Sequence, residues 1–171
     1  MVSENPGTQP ADDGALRALA ERAGSLLLAR RYRVATAESC TGGWVAKCLT
    51  DIPGSSQWFE RGFVTYSNEA KQQSLGVPAA LLTRHGAVSQ PVAEQMAVGA
   101  LQASAAALAV AITGIAGPDG GTADKPVGLV WFALADRQAA PIAHQHQFAG
   151  DRDDIRRAAV AAALRIIIAA A

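Results

Sequence analysis

Two apolar runs in the middle of the chain constrain its fold more than any other feature. Ala106–Thr113 and Val127–Ala135 contain no charged residue and do not alternate with polar ones. A strand with that pattern must be covered on both faces, as in the centre of a sheet flanked by helices. The rest of the chain supplies candidate covers. From Asp12 onward Leu16, Leu19, Ala20, Ala23, Leu26 and Leu27 recur at helical spacing. A second helix is expected from a Ser89 N-cap with Pro91 in its first turn to about Ala103, with Val92, Met96, Ala100 and Ala103 on its inner face. Asp151–Ala170 reads as a closing helix with Asp151 as its N-cap. Only 5% of the residues are aromatic although 50% are hydrophobic, so Ala, Val, Leu and Ile must build the core.

Shorter strands are expected at Val34–Ala37, Trp58–Tyr66 and 141–148, where Ile142, His144, His146 and Phe148 share a face. Helical runs follow at Trp44–Leu49 and Asn68–Leu75. Strands interleaved with helices imply an α/β chain, specifically a three-layer α/β/α sandwich. About five residues join the strands at 127–135 and 141–148, which forces them antiparallel and makes the sheet mixed. The 171 residues suit a single domain over 12–171, preceded by a polar, proline-containing stretch, residues 1–11, expected to be a disordered tail.

Fifteen basic residues balance fifteen acidic ones, so bulk charge does not favour nucleic acid or an anionic membrane as partner. The apolar stretch Ala158–Ala171 is interrupted by Arg165 and is too short to span a bilayer. Cys40 and Cys48 make no disulfide framework and no zinc pattern, which suits a reducing cytoplasm and predicts no metal or cofactor.

The chemistry concentrates in Thr36–Gly43, TAESCTGG. There a strand runs into a helix through a polar turn. Ser39 at such a turn is held in place, and free backbone N–H groups at the helix mouth, around Cys40, Thr41, Gly42 and Gly43, suit an oxyanion. An ordinary helix cap is the competing reading of the same serine. Cys40 is the other possible nucleophile; if the strand continues into the turn, only one of the two side chains faces the site. A serine nucleophile needs a base. His144 and His146 look like a sheet face and lack a third metal ligand. Lys71 lies about one helical turn beyond a strand end carrying Tyr66 and Asn68. To act near neutral pH its pKa must fall by roughly three from about 10.4, through desolvation or a nearby cation. The glycine-rich loop after Thr113, with Gly114, Gly117 and Gly120, suits an anion facing its backbone, and Arg152 stands at the start of the last helix.

Taken together, TAESCTGG, Gly62–Lys71 (GFVTYSNEAK), Gly86–Ser89 (GAVS), Thr113–Gly121 (TGIAGPDGG), Lys125–Gly128 (KPVG) and Gly150–Arg152 (GDR) resemble the CinA C-terminal domain family, in order and across about residues 13–170. The resemblance implies hydrolysis of the carboxamide of nicotinamide mononucleotide to nicotinate mononucleotide and ammonia by a homo-oligomer. It matches Ser39 to the nucleophile and Lys71, Tyr66 and Thr113 to the polar residues completing the site. Ribose and phosphate contacts are expected from Asn68, the 114–121 loop and Arg152. The alternative is a non-catalytic module that binds a pyridine nucleotide or docks a partner.

Overall fold

The computed structural model describes residues 11–171. The expected tail therefore lies outside the described residues except for Ala11, which packs half-buried against the core. Chain order is α1 (Asp13–Arg30), β1 (Val34–Glu38), α2 (Trp44–Thr50), β2 (Phe59–Val64), α3 (Asn68–Leu75), α4 (Ala79–His85), α5 (Gln90–Gln102), β3 (Leu108–Gly114), β4 (Leu129–Asp136), β5 (Ala139–Gln147) and α6 (Arg152–Ala170). The five strands form one sheet in the order β2-β1-β3-β4-β5. β1 runs parallel to both β2 and β3, while β3–β4 and β4–β5 are antiparallel. The sheet is mixed, and the two continuous apolar runs occupy adjacent interior positions as β3 and β4.

Alternation along the strands gives the sheet two different faces. Val34, Leu108, Val110, Ile112, Val130 and Phe132 face α1, α2 and α6 in one core cluster. Ala35, Ala37, Ala109, Ala111, Ala133 and Ala135 face α5 in the other. Register puts these alanines side by side: Ala35 against Ala109, Ala109 against Ala135, and Ala111 against both Ala37 and Ala133. A floor of methyl groups brings α5 close, and α5 answers with Ala93, Ala97 and Ala100 around Met96. Among the buried strand residues of the two clusters, the bulky side chains are all on the opposite face. This division explains how a chain so poor in aromatics builds two apolar layers.

Helix ends follow local chemistry. Asp12 caps α1 and Asp151 caps α6, the latter in a reciprocal box with Asp154. Two expectations need correction, and one helix is added. Ala103 is exposed at the C-terminal end of α5, because the helix has already ended. Ser89 precedes α5 but makes no side-chain cap; its hydroxyl donates to Gly86 O at 2.8 Å. Helix α4, capped by Pro78, was not anticipated from the polar residues around it. The His144–His146 face lies on the exposed edge strand β5, where both rings pack on Phe132. Among the described residues no helix is long and apolar enough to cross a membrane.

Gly99 marks where α5 meets α3. A β-carbon there would sit 1.9 Å from the Leu75 carbonyl oxygen, an impossible approach that forces α3 away. Gly99→Ala is expected to cost roughly 1–3 kcal/mol in urea unfolding, as overpacked sites do. Because α3 also carries Lys71, the same variant is expected to lose activity more than a surface control; unchanged unfolding would show that the two helices are not in contact.

Candidate active site

The carboxyl ends of three adjacent parallel strands, β2, β1 and β3, converge on one pocket of about 280 Å³. Its walls include Ser39 and Cys40 after β1, Tyr66 after β2, Lys71 from α3, Thr113 and Gly114 at the end of β3, Gly117, Asp119 and Gly120 from the loop beyond, and Arg152 from α6. In an open α/β sheet such carboxyl edges are where ligands bind.

Strand alternation decides what each side chain of the 38–40 segment meets. Ser39 follows Ala37 toward the α3 side, where Lys71 Nζ lies 3.0 Å from its Oγ. The same Nζ donates to Thr65 O at 2.7 Å. Lys71 is only 1% exposed and Ser39 8%. No carboxylate pairs with the ammonium among the described salt bridges. Burial therefore pushes the Lys71 pKa below its ordinary 10.5. The desolvation demanded of a Ser–Lys pair is present, supplied without a neighbouring cation.

Cys40 and Glu38 point the other way. Cys40 joins the core cluster beneath α1, α2 and α6, and burial pushes its thiol up to about 12. It has no base and is not a thiolate near neutral pH. The Glu38 carboxylate, fully buried, accepts from the amides of Gly43 (3.0 Å), Val45 (3.1 Å) and Ala46 (2.8 Å). Its cap role was missed in the sequence; the available signal was an acidic residue ending a buried strand just before a helix.

That cap revises the expected oxyanion donors. Gly43 N–H is committed to Glu38 and Gly42 N–H to Ser39 O at 3.0 Å. Among the described residues the amides of Cys40 and Thr41 are the two in this turn without an acceptor. Thr41, Gly42 and Gly43 line a separate cavity of about 560 Å³ on the α6 side of the turn, and not the Ser39 pocket. Asn68 opens α3 on the exposed surface and is absent from the pocket wall. Thr113 is buried in the wall, its hydroxyl donating to Ala87 O at 3.0 Å. Tyr66 is 60% exposed at the pocket mouth, where its hydroxyl accepts from Arg152 at 2.8 Å. The other arm of Arg152 reaches Gly117 O at 2.7 Å. Ile115, Ala116 and Asp119 of the expected 114–121 loop complete the lining together with Ala87 and Val88, which carried no expected role.

Fold and site together define an α/β/α sandwich protein with a buried serine–lysine pair at its parallel-strand edge. The chain belongs to the CinA C-terminal domain family, whose pattern it matches over residues 16–171. It is 59% identical over 155 residues to the nicotinamide-nucleotide amidohydrolase PncC of Escherichia coli (strain K12), covering 91% of this chain and 94% of that protein. It is 55% identical over 157 residues to a putative competence-damage inducible protein of Symbiobacterium thermophilum, covering 87% of this chain but 37% of that longer protein. The crystal structure of the competence/damage inducible protein CihA from Agrobacterium tumefaciens superposes with a TM-score of 0.88 at 47% identity, covering 98% of each chain.

Both thiols are buried, and burial raises Cys48 to about 11 as well. Iodoacetamide at about pH 8 is expected to leave native protein unmodified and to alkylate both after unfolding in urea. Mass spectrometry reads the outcome, and rapid native labelling of Cys40 would place its thiol in the pocket.

Proposed function

We propose that this chain hydrolyses the carboxamide of nicotinamide mononucleotide to nicotinate mononucleotide and ammonia, with Ser39 as nucleophile and Lys71 as base. The observation that carries the reading is the 3.0 Å approach of Lys71 Nζ to Ser39 Oγ in a buried pocket, with no counter-ion on the lysine among the described residues. The name of the Escherichia coli relative supports the substrate.

In the structure Lys71 Nζ donates to both Thr65 O and Ser39 Oγ; once the amine is neutral, its lone pair takes the Ser39 side of that 3.0 Å contact and the serine hydroxyl becomes the donor. Ser39 Oγ attacks the carboxamide carbon and its proton passes to Lys71. The oxyanion forms beside the amide of Cys40, the residue next to Ser39 that also lines the pocket. As the tetrahedral intermediate collapses, the C–N bond breaks and Lys71 returns the proton to the leaving nitrogen, releasing ammonia. Water then attacks the acyl ester, giving its proton to Lys71, and the carboxylate departs as Ser39 recovers a proton. The pyridinium ring withdraws electrons from the carbonyl throughout. Thr113 braces the wall through Ala87, and Tyr66 with Arg152 forms the mouth. In this reading Arg152 and the 114–121 loop hold phosphate and ribose, supported by the presence of Arg152 and most of that loop in the pocket wall. Exposed Val64 and Ile142 offer apolar surface to a second copy, in keeping with a homo-oligomer, and the free thiols suit the cytoplasm.

Purified protein with the mononucleotide is expected to release ammonia, and Ser39→Ala and Lys71→Met to lose on the order of 10⁴-fold or more in kcat. A Ser39→Ala variant with near wild-type turnover would remove the nucleophile assignment. Lys71 works only when neutral, so kcat/KM should rise with pH through an ionisation below 10.5 and level off above it. A profile flat across that range, or one falling with increasing pH, would contradict lysine as the base.

A further inference from the structure

The turn that carries Ser39 is built from residues with little stiffness of their own. Gly42 and Gly43 both adopt positive φ, 61° and 94°, in the left-handed region where glycine moves easily. Peptide planes next to such residues rotate at low cost unless something outside the turn grips them. Trp44 N–H holds Thr41 O at 3.1 Å from the first turn of α2, and Arg156 of α6 adds a grip from outside. Its Nε donates to Cys40 O at 3.1 Å and its Nη2 to Thr41 O at 3.2 Å, while the guanidinium lies 5.3 Å from the Trp44 ring centroid. Arg156 has no carboxylate partner among the described salt bridges, so both arms are committed to the turn.

A trans peptide sets the direction of its N–H opposite to its C=O. Fixing Cys40 O on the α6 side therefore turns Thr41 N–H away from α6. Fixing Thr41 O likewise sets Gly42 N–H, which donates to Ser39 O. That bond in turn fixes the Ser39–Cys40 plane and so the direction of Cys40 N–H, which belongs to a residue of the catalytic pocket wall. One guanidinium thus braces two successive planes from behind, and for the Cys40 carbonyl it is the one donor among the described residues. We propose that Arg156 is a positioning residue for the oxyanion site, holding the peptide planes from Ser39 to Gly42 so that the Cys40 amide keeps the orientation the reaction uses. This rests on the serine–lysine reading above but not on the identity of the amide substrate.

Arg157 provides an internal control. It stacks on the same Trp44 ring at 4.9 Å and pairs with Asp13 and Asp153, yet makes no bond to the turn. Arg156→Ala is expected to lower kcat on the order of 100-fold, the usual effect of losing an oxyanion donor, with KM for the mononucleotide within a few fold of wild type. Arg157→Gln should keep full activity. Arg156 lines the open cavity of about 560 Å³ behind the turn, so added ethylguanidinium can enter and should restore part of the lost kcat in Arg156→Ala. It should do nothing for Lys71→Met.

A second readout does not depend on the substrate assignment. A fluorophosphonate probe reacts when Ser39 Oγ bonds to phosphorus, fluoride leaves and the serine proton goes to Lys71. Its labelling of Ser39 should slow in Arg156→Ala and recover with ethylguanidinium. Slower labelling in a protein that never hydrolyses the mononucleotide would uphold the role of Arg156 and overturn the substrate. Unchanged labelling and kcat in Arg156→Ala would overturn the proposal. Equal losses in Arg156→Ala and Arg157→Gln, or a loss that tracks the melting temperature and that ethylguanidinium does not relieve, would also overturn it, since these mark a merely structural contact.

Discussion

An ammonium group removed from water without a counter-ion is the constraint on which this molecule turns. Lys71 is 1% exposed and, among the described residues, has only a carbonyl and a hydroxyl within hydrogen-bond reach and no counter-ion. Burying such a charge costs far more than burying the neutral amine, so the protein favours the amine. A carboxylate beside it would undo this by holding the proton in an ion pair. The carboxylate next to Ser39 in sequence, Glu38, is equally buried but lies on the other face of the sheet, satisfied by three amides of α2. One step of strand alternation thus keeps an acid and a base from neutralising each other.

The two-faced sheet makes that separation durable. Register in a strand is enforced when one face must be buried, because a slip of one residue exchanges the faces. Here both faces are buried and they are not interchangeable. A slip in β1 would press Val34, Thr36 and Glu38 onto the close-packed alanine side and leave Ala35 and Ala37 facing the bulky side. The alanine floor also lets α5 approach, and α5 holds α3 through the Leu75–Gly99 contact. Lys71 therefore reaches Ser39 from a helix whose position is set by small residues well away from the chemistry.

What could be read in the sequence was what local pattern determines. The apolar runs of β3 and β4, the helical periodicity of α1 and the acidic cap of α6 all follow from residues near one another. Placing Ser39 at a strand-to-helix turn was equally local. Pairing it with Lys71 was not, since 32 residues separate them and only the β1–β2 crossover closes that gap. Resemblance bridged it where spacing did not. The features not foreseen share this long-range character. Whether Thr41–Gly43 faces the pocket depends on where α6 lies, and Asn68 falls outside because α3 turns Lys71 inward instead. Ser89 had a cap-like sequence, but its hydroxyl found Gly86 first.

Geometry also favours the serine over the adjacent cysteine as the proposed nucleophile. In water a thiol is the readier nucleophile, because it ionises more easily than an alcohol. Cys40 loses that advantage in the apolar layer under α6, where burial pushes its thiol to about 12 and no base adjoins it. Ser39 has the weaker intrinsic nucleophile and the stronger surroundings: an amine at 3.0 Å and the unpaired amides of the next two residues. Reactivity in this turn is assigned by direction, and direction is assigned by the same alternation that sends Glu38 to α2. A chain carrying the same eight residues in a loop, without β1 pairing on both sides to fix that alternation, would present serine, cysteine and glutamate to solvent alike and have no reason to select among them.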